Sequence, residues 1–207
     1  MVSYLSIKRG YDAGWIRLFF LLGGILLTAG LLSACSGNRF AAIQPGLDKR
    51  GHYIEGVPFF RQSESTCGPA ALANVFSFWG RSANIDDISA KVYLPALRGT
   101  LPMDMERFAR ESGFDTSSSS GTLADLKENI GKGVPLICML DLGFGLYRQP
   151  HYVTVVGFDD GNALIIEHDG VKPNRLVAYD TFNHSWARTG YWMLVITPKK
   201  VERKDVP

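Results

Sequence analysis

Two spacings of apolar residues divide this chain, and the change from one to the other falls near Gly133. Ala70, Leu72, Ala73, Phe76 and Trp79 recur at helical spacing and predict a helix that starts at Cys67 and stops at Gly80. Further helices are expected over Asp86 to Val92, over Asp104 to Ser112 after Pro102, and over Leu123 to Ile130 entered through Thr122. Ahead of them Val57-Pro58-Phe59-Phe60 reads as extended. After Gly133 come Val134–Leu140, Tyr152–Phe158, Ala163–Ile166, Leu176–Tyr179 and Trp192–Thr197, rich in β-branched and aromatic residues and separated by turn signals such as Asp160-Gly161. The serine run Ser117 to Ser120 is too short for a linker and reads as a loop. A helical half packed on a C-terminal antiparallel sheet is an α+β fold, and neither half can close a core alone, so one domain is expected.

The first residues read as an export signal. Lys8, Arg9 and Arg17 precede the apolar stretch Leu18 to Leu32, which closes on Leu32-Ser33-Ala34-Cys35. That is a basic region, an apolar region and a small-residue cleavage site. The order Leu-Ser-Ala-Cys resembles the bacterial lipobox, in which a thiol after the small residues takes up a diacylglyceryl group. The alternative is an uncleaved anchor, because Leu18 to Ala34 approaches the hydrocarbon thickness of a bilayer. The expected organisation is therefore residues 1–34 as signal peptide, 35–52 as a lipidated tether from Cys35, and 53–200 as the domain. Ser36 follows the lipidated residue, which favours the outer membrane, facing the periplasm, under the sorting rule of Gram-negative bacteria.

Charge removes one class of function. The chain carries 22 basic and 20 acidic residues. Cleavage after Ala34 takes away three basic groups and Asp12, leaving 19 of each sign and a formally neutral domain. Nucleic-acid binding depends on phosphate neutralisation, and no Lys/Arg cluster is present to supply it. No Cys-x-x-Cys, His-Glu-x-x-His or phosphate-loop pattern occurs, so neither metal nor cofactor is implied.

With Cys35 assigned to the lipid, Cys67 and Cys138 remain, and an oxidising periplasm allows them to pair. Cys138, however, lies inside the apolar run Val134 to Leu140 and reads as a small core residue. Cys67 stands at a helix N-terminus, where about half a positive charge on unpaired N–H groups lowers a thiol pKa. A nearby histidine does more, as proton acceptor and ion-pair partner. His52 falls in the expected tether and His184 in a polar segment, whereas His151 begins a strand after the loop Gly143 to Pro150. Spacing alone leaves the Cys67–His151 pairing open, because such pairs meet in space rather than in sequence.

Val57-Pro58-Phe59-Phe60, then Gln62, then Cys67-Gly68-Pro69-Ala70-Ala71-Leu72-Ala73 resembles the active-site entrance of papain-like cysteine peptidases related to the bacteriocin-processing, double-glycine peptidases. His151-Tyr152-Val153-Thr154-Val155-Val156-Gly157-Phe158-Asp159-Asp160 resembles their histidine strand, and Trp186 to Trp192 resembles the closing segment of lipoprotein members. The resemblance spans residues 53 to 197. It implies a papain-like fold and a peptide or protein substrate. Cys67 is then the nucleophile, His151 the acid–base partner, and Gln62 a side-chain donor to the oxyanion beside the Cys67 backbone N–H. The family's third residue is an Asp, commonly before Pro, after the following strand. Here the chain reads Ile165-Ile166-Glu167-His168-Asp169-Gly170, without Asp-Pro. Strand alternation puts Glu167 and Asp169 on one side and His168 on the other. Asp169, next to a Gly turn, is favoured over Glu167.

Two other readings stay open from the sequence. A cell-wall amidase or endopeptidase uses the same fold, but its Asp-Cys-Ser-Gly entrance is replaced here by Thr66-Cys67-Gly68-Pro69. A non-catalytic peptide-binding module would keep the fold and lose the chemistry.

Overall fold

A computed structural model describes residues 39–44, 46–62 and 65–199 of the chain. The export signal and Cys35 lie outside these residues. Helices are α1 (Arg39–Ile43), α2 (Cys67–Phe78), α3 (Ile85–Val92), α4 (Pro102–Glu111), α5 (Leu123–Gly131) and α6 (Tyr179–Ala187). Strands are β1 (Gly51–Tyr53), β2 (Tyr93–Leu94), β3 (Gly99–Thr100), β4 (Phe114–Ser120), β5 (Leu136–Asp141), β6 (Pro150–Asp159), β7 (Leu164–His168), β8 (Arg175–Ala178) and β9 (Trp192–Pro198). The α+β class expected from the sequence is the one observed. Local chemistry sets several helix starts: the Asn84 side chain accepts from Asp86 N–H, Pro102 occupies the first turn of α4, and Thr122 and Asp125 form a reciprocal capping box on α5.

The main sheet is antiparallel in the order β4-β9-β5-β6-β7-β8. β6 is its spine. One edge of β6 pairs with β7 from Thr154 to Asp159, while the other pairs first with β5, up to Val155, and then with β1, from Gly157. Helices cover both faces, which explains why β5 reads as a continuous apolar run rather than an alternating one. On one face Leu72, Val75 and Phe76 of α2 and Met105 and Ala109 of α4 pack against Ile137, Tyr152, Leu194 and Ile196. On the other, Leu126 and Ile130 of α5 and Phe182 and Trp186 of α6 pack against Leu136, Cys138, Val153, Val155 and Ile165. Cys138 is thus a fully buried core residue, Cys67 is half-buried, and both are free thiols, not bonded to each other.

Three sequence expectations need correction. The Ser117–Ser120 run is not a loop but the end of β4, an edge strand whose partner is β9. Its serines are tolerated because that strand is largely exposed, and Trp192 Nε1 donates to Ser118 Oγ at 2.9 Å. Residues 179–187, read partly as strand and partly as polar loop, form α6; the signal was there in Phe182 and Trp186, four residues apart and both fully buried. The domain also begins before Tyr53. Phe40 and Leu47 are buried with Val156 and Ile166, β1 joins the sheet, and Arg50 makes a two-pronged bond to the buried Asp159 carboxylate at 3.2 and 3.0 Å. Residues 40–44 and 46–52 are therefore part of the folded body, and among the described residues no tether separates them from it. No helix among the described residues is long and apolar enough to cross a membrane.

Candidate active site

Cys67 is the first residue of α2, with Thr66 as its N-cap. The helix is pinned by the buried Asn74, whose Oδ1 accepts from Phe60 N–H at 2.9 Å and whose Nδ2 donates to Thr154 Oγ1 at 3.0 Å. One side chain thereby ties together the Phe59-Phe60 segment, the cysteine helix and the histidine strand. A further brace comes from the β2–β3 hairpin: Tyr152 OH donates to Thr100 O at 2.9 Å, and a Cβ on Gly68 would meet the Thr100 side chain at 2.9 Å. Gly68 is thus required by close approach.

His151 enters from β6, and the loop before it is held by Asp141. That carboxylate accepts from Gly143 N–H (2.9 Å), Gln149 N–H (2.8 Å), Arg148 (2.7 Å) and Arg188 (3.0 Å). Burial works against its charge, but these donors outweigh burial and hold the carboxyl below the ordinary carboxylate range. The His151 ring bonds through Nε2 to the backbone carbonyl of Asp169 at 2.9 Å. A carbonyl can only accept, so Nε2 carries the proton and Nδ1 is left as the basic nitrogen.

Asp169 thus meets the histidine, but through its main chain. Its carboxylate turns away, accepting from Val171 N–H (2.8 Å) and Lys172 N–H (2.6 Å) and lying 3.5 Å from Arg175. Glu167 shares that arginine at 3.3 Å, which puts it on the same side as Asp169, but it is fully buried, leaves one carboxylate oxygen without a partner, and is pushed up to about 8 by burial. His168 takes the opposite side, with its Nε2 on Val57 O and its Nδ1 accepting from Asn174 N–H. Gln62 is fixed beside this loop: its N–H donates to Gly170 O at 2.9 Å, and its carboxamide lies against Gly170.

Gln62, His151, Asp169 and Arg175 line one cleft of about 700 Å³. Cys67 lies half-buried against the strand that forms its wall, with backbone N–H groups of Tyr152, Gly68 and Cys67 itself directed at the thiol. The expectation that the helix N-terminus and the histidine leave a lowered thiol pKa is not met. Burial pushes the thiol up by more than those N–H groups lower it, and burial likewise pushes His151 down against the raising effect of the Asp169 carbonyl. Thiol and imidazole are both neutral near neutral pH, an arrangement suited to general-base activation as a substrate arrives. The structure brings Cys67, Gln62, His151 and Asp169 into one region; it leaves His184 exposed on α6 and His52 in β1. Sequence reasoning did not find Arg175, whose role depends on two carboxylates that meet only in the folded chain.

A sequence profile described as the Peptidase_C39 like family matches residues 54–193. A search of curated protein sequences finds no significant match. Among solved structures, the peptidase domain of Streptococcus ComA, a bifunctional ABC transporter of a quorum-sensing pathway, superposes with a TM-score of 0.57 at 22% identity, covering 68% of this chain and 97% of that one. A C39-like peptidase of Bacillus anthracis gives 0.60 at 12%, covering 72% and 98%. A double glycine motif protease from an AMS/PCAT transporter, solved with its leader peptide, gives 0.58 at 20%, covering 72% and 95%. At these identities the structural likeness speaks for the papain-like fold, and the profile, which takes in the Cys67 helix and the His151 strand together, speaks for the family. On the profile match the chain belongs to the Peptidase_C39 like family of cysteine peptidases.

Proposed function

We propose that the protein is a lipid-anchored peptidase of the bacterial envelope, held through Cys35, facing the periplasm from the outer membrane, and cleaving peptide bonds by acyl-enzyme chemistry on Cys67. The observation that carries the reading is the His151 Nε2 to Asp169 carbonyl bond at 2.9 Å, in a cleft that Gln62 also lines. With the proton fixed on Nε2, Nδ1 accepts the thiol proton as Cys67 Sγ attacks the carbonyl carbon, and returns it to the leaving amine. Water then attacks the thioester, with the same nitrogen as base, and releases the acid and the free thiol. The oxyanion is met by the Cys67 N–H and by Gln62. Gln62 Oε1 is buried without a partner, so Nε2 is the end of the carboxamide left for the cleft.

The test is hydrolysis of fluorescein-labelled casein by the purified full chain. Cys67→Ala and His151→Ala should abolish it. Asp169→Ala keeps the orienting carbonyl and should lose roughly tenfold, against the ~10⁴-fold expected where a carboxylate orients the histidine. A ~10⁴-fold loss in Asp169→Ala would reject the carbonyl as orienting group, and activity surviving in Cys67→Ala would reject the nucleophile. Cys35→Ser should move the protein from the membrane to the soluble fraction; retention at the membrane would reject the lipid anchor.

A further inference from the structure

We propose that the cleft selects peptides that place a carboxylate close to the scissile bond, and that Arg98 is the residue that reads it. The inference rests on the proposal that Cys67 acts in this cleft, and it adds a substrate class to it.

Arg98 sits at the tip of the β2–β3 hairpin, after the 3₁₀ turn Pro95–Leu97, and lines the cleft with Gln62 and His151. Its backbone is left-handed, with φ 49°, a conformation that costs a side-chain-bearing residue free energy and tends to persist where function requires it. The hairpin beneath it is fastened to both catalytic elements: Thr100 packs on Gly68 at the start of the cysteine helix, and its carbonyl accepts from Tyr152, the neighbour of His151. Arg98 is therefore held in register with the reacting groups. Its guanidinium has neither an ion-pair nor a hydrogen-bond partner among the described residues.

Among the described residues, the surrounding charges leave that cation uncompensated. Arg175 is the other cation of the lining, and Asp169, 3.5 Å away, balances it. Glu167, the second carboxyl on Arg175, is uncharged at neutral pH, being pushed up to about 8 by burial. Just beyond, Arg148 and Arg188 share the single carboxylate of Asp141, which adds a further net positive charge at the loop entering His151. Among the described residues, the lining of this opening and the loop beside it thus carry net positive charge. A planar guanidinium fits a carboxylate with two parallel N–H···O bonds, so an Asp or Glu side chain, or a peptide C-terminus, is the group this opening accepts.

Binding by the full chain carrying Cys67→Ala, which cannot turn over, tests this without relying on catalysis. The probes are fluorescein-labelled, C-terminally amidated Gly/Ala octapeptides with a central Glu, Gln or Lys, together with the Gln peptide bearing a free C-terminal carboxylate, read by fluorescence anisotropy. The Glu peptide should bind about fivefold more tightly than the Gln peptide, and the Lys peptide more weakly than either. That preference should fade in about 0.5 M salt, where surface charges are screened within a few ångströms. Arg98→Glu should reverse the order, and Arg98→Gly, which relaxes the left-handed backbone, should remove it. Tighter binding of the free-carboxylate Gln peptide than of the Glu peptide would assign the site to a C-terminus rather than an internal acidic residue. Equal binding of the Glu and Lys peptides, an unchanged order in both Arg98 variants, or no binding of the Glu peptide would overturn the proposal. Cys67-dependent casein hydrolysis is measured separately, so failure of the peptidase reading and failure of the carboxylate preference give different results.

Discussion

Replacing Gly170 with alanine should damage catalysis indirectly, by displacing the side chain of Gln62. Gly170 has φ 81°, in the left-handed region, and strain there costs an alanine about 1–2 kcal/mol. At roughly 2–4 °C per kcal/mol for a domain of this size, Tm should fall by a few degrees. The larger effect is steric. A Cβ at position 170 would lie 2.2 Å from Gln62 Cδ and 2.3 Å from its Oε1, far inside contact distance, so the carboxamide must move. The Gln62 N–H to Gly170 O bond involves main chain only and can survive, leaving the segment in place while the side chain is expelled. If Gln62 supplies the second oxyanion donor, its loss is worth about 3–4 kcal/mol, or roughly 10²–10³ in kcat. The assay is a cycle of Gln62→Ala, Gly170→Ala and the double variant, measured as Cys67-dependent casein hydrolysis with Tm alongside. Because both single changes remove the same donor, the double variant should be no slower in kcat than Gln62→Ala alone, while its Tm should still carry the Gly170→Ala penalty. Losses in kcat that multiply in the double variant, or a Gly170→Ala enzyme with near-wild-type kcat, would refute the assignment of Gln62.

Two further results follow from the buried charges. Alkylation of Cys67 by limiting iodoacetamide should rise with pH through and beyond the ordinary thiol value of about 8.5, with Cys138, more deeply buried, slower throughout; a plateau of fast labelling at pH 6 that disappears in His151→Ala would show a thiolate–imidazolium pair instead. Glu167 is raised in the folded chain to about 8 from about 4.3 unfolded, so the native state holds the extra proton between those values. Its contribution to stability is therefore present at low pH and is lost as pH rises through that window. Glu167→Gln should flatten the fall of Tm between about pH 5 and pH 8, read by thermal melts across that range, and an unchanged slope would mean that the carboxyl is already ionised beside Arg175.

Much of the fold could be read from local signals, because those signals act within one element. The Thr122 capping box, Pro102 at the start of α4 and the apolar period after Cys67 each satisfy backbone donors or bury one face without help from elsewhere. The readings that failed are those where pairing or packing overrode local preference. A serine run became strand β4 because β9 offered it a ladder, and the described end of the expected tether, residues 46–52, is part of the body because Asp159, far along the chain, is buried opposite Arg50.

The site divides along the same line. The sequence, with its resemblance to the double-glycine peptidases, singled out the candidates for the chemistry: a cysteine at a helix start, a glutamine five residues before it, and a histidine opening a strand. The same resemblance narrowed the third position to Glu167 or Asp169, which strand alternation places on one side. What the sequence could not determine is which atom does the orienting, because that is a matter of where the chain turns after β7. There the Asp169 carboxylate is used up in closing its own turn and facing Arg175, and the carbonyl is what remains for His151. Nor could it give the protonation states. A helix N-terminus and a neighbouring histidine argue locally for a thiolate, but burial is a property of the whole packed structure, and in this one it outweighs them.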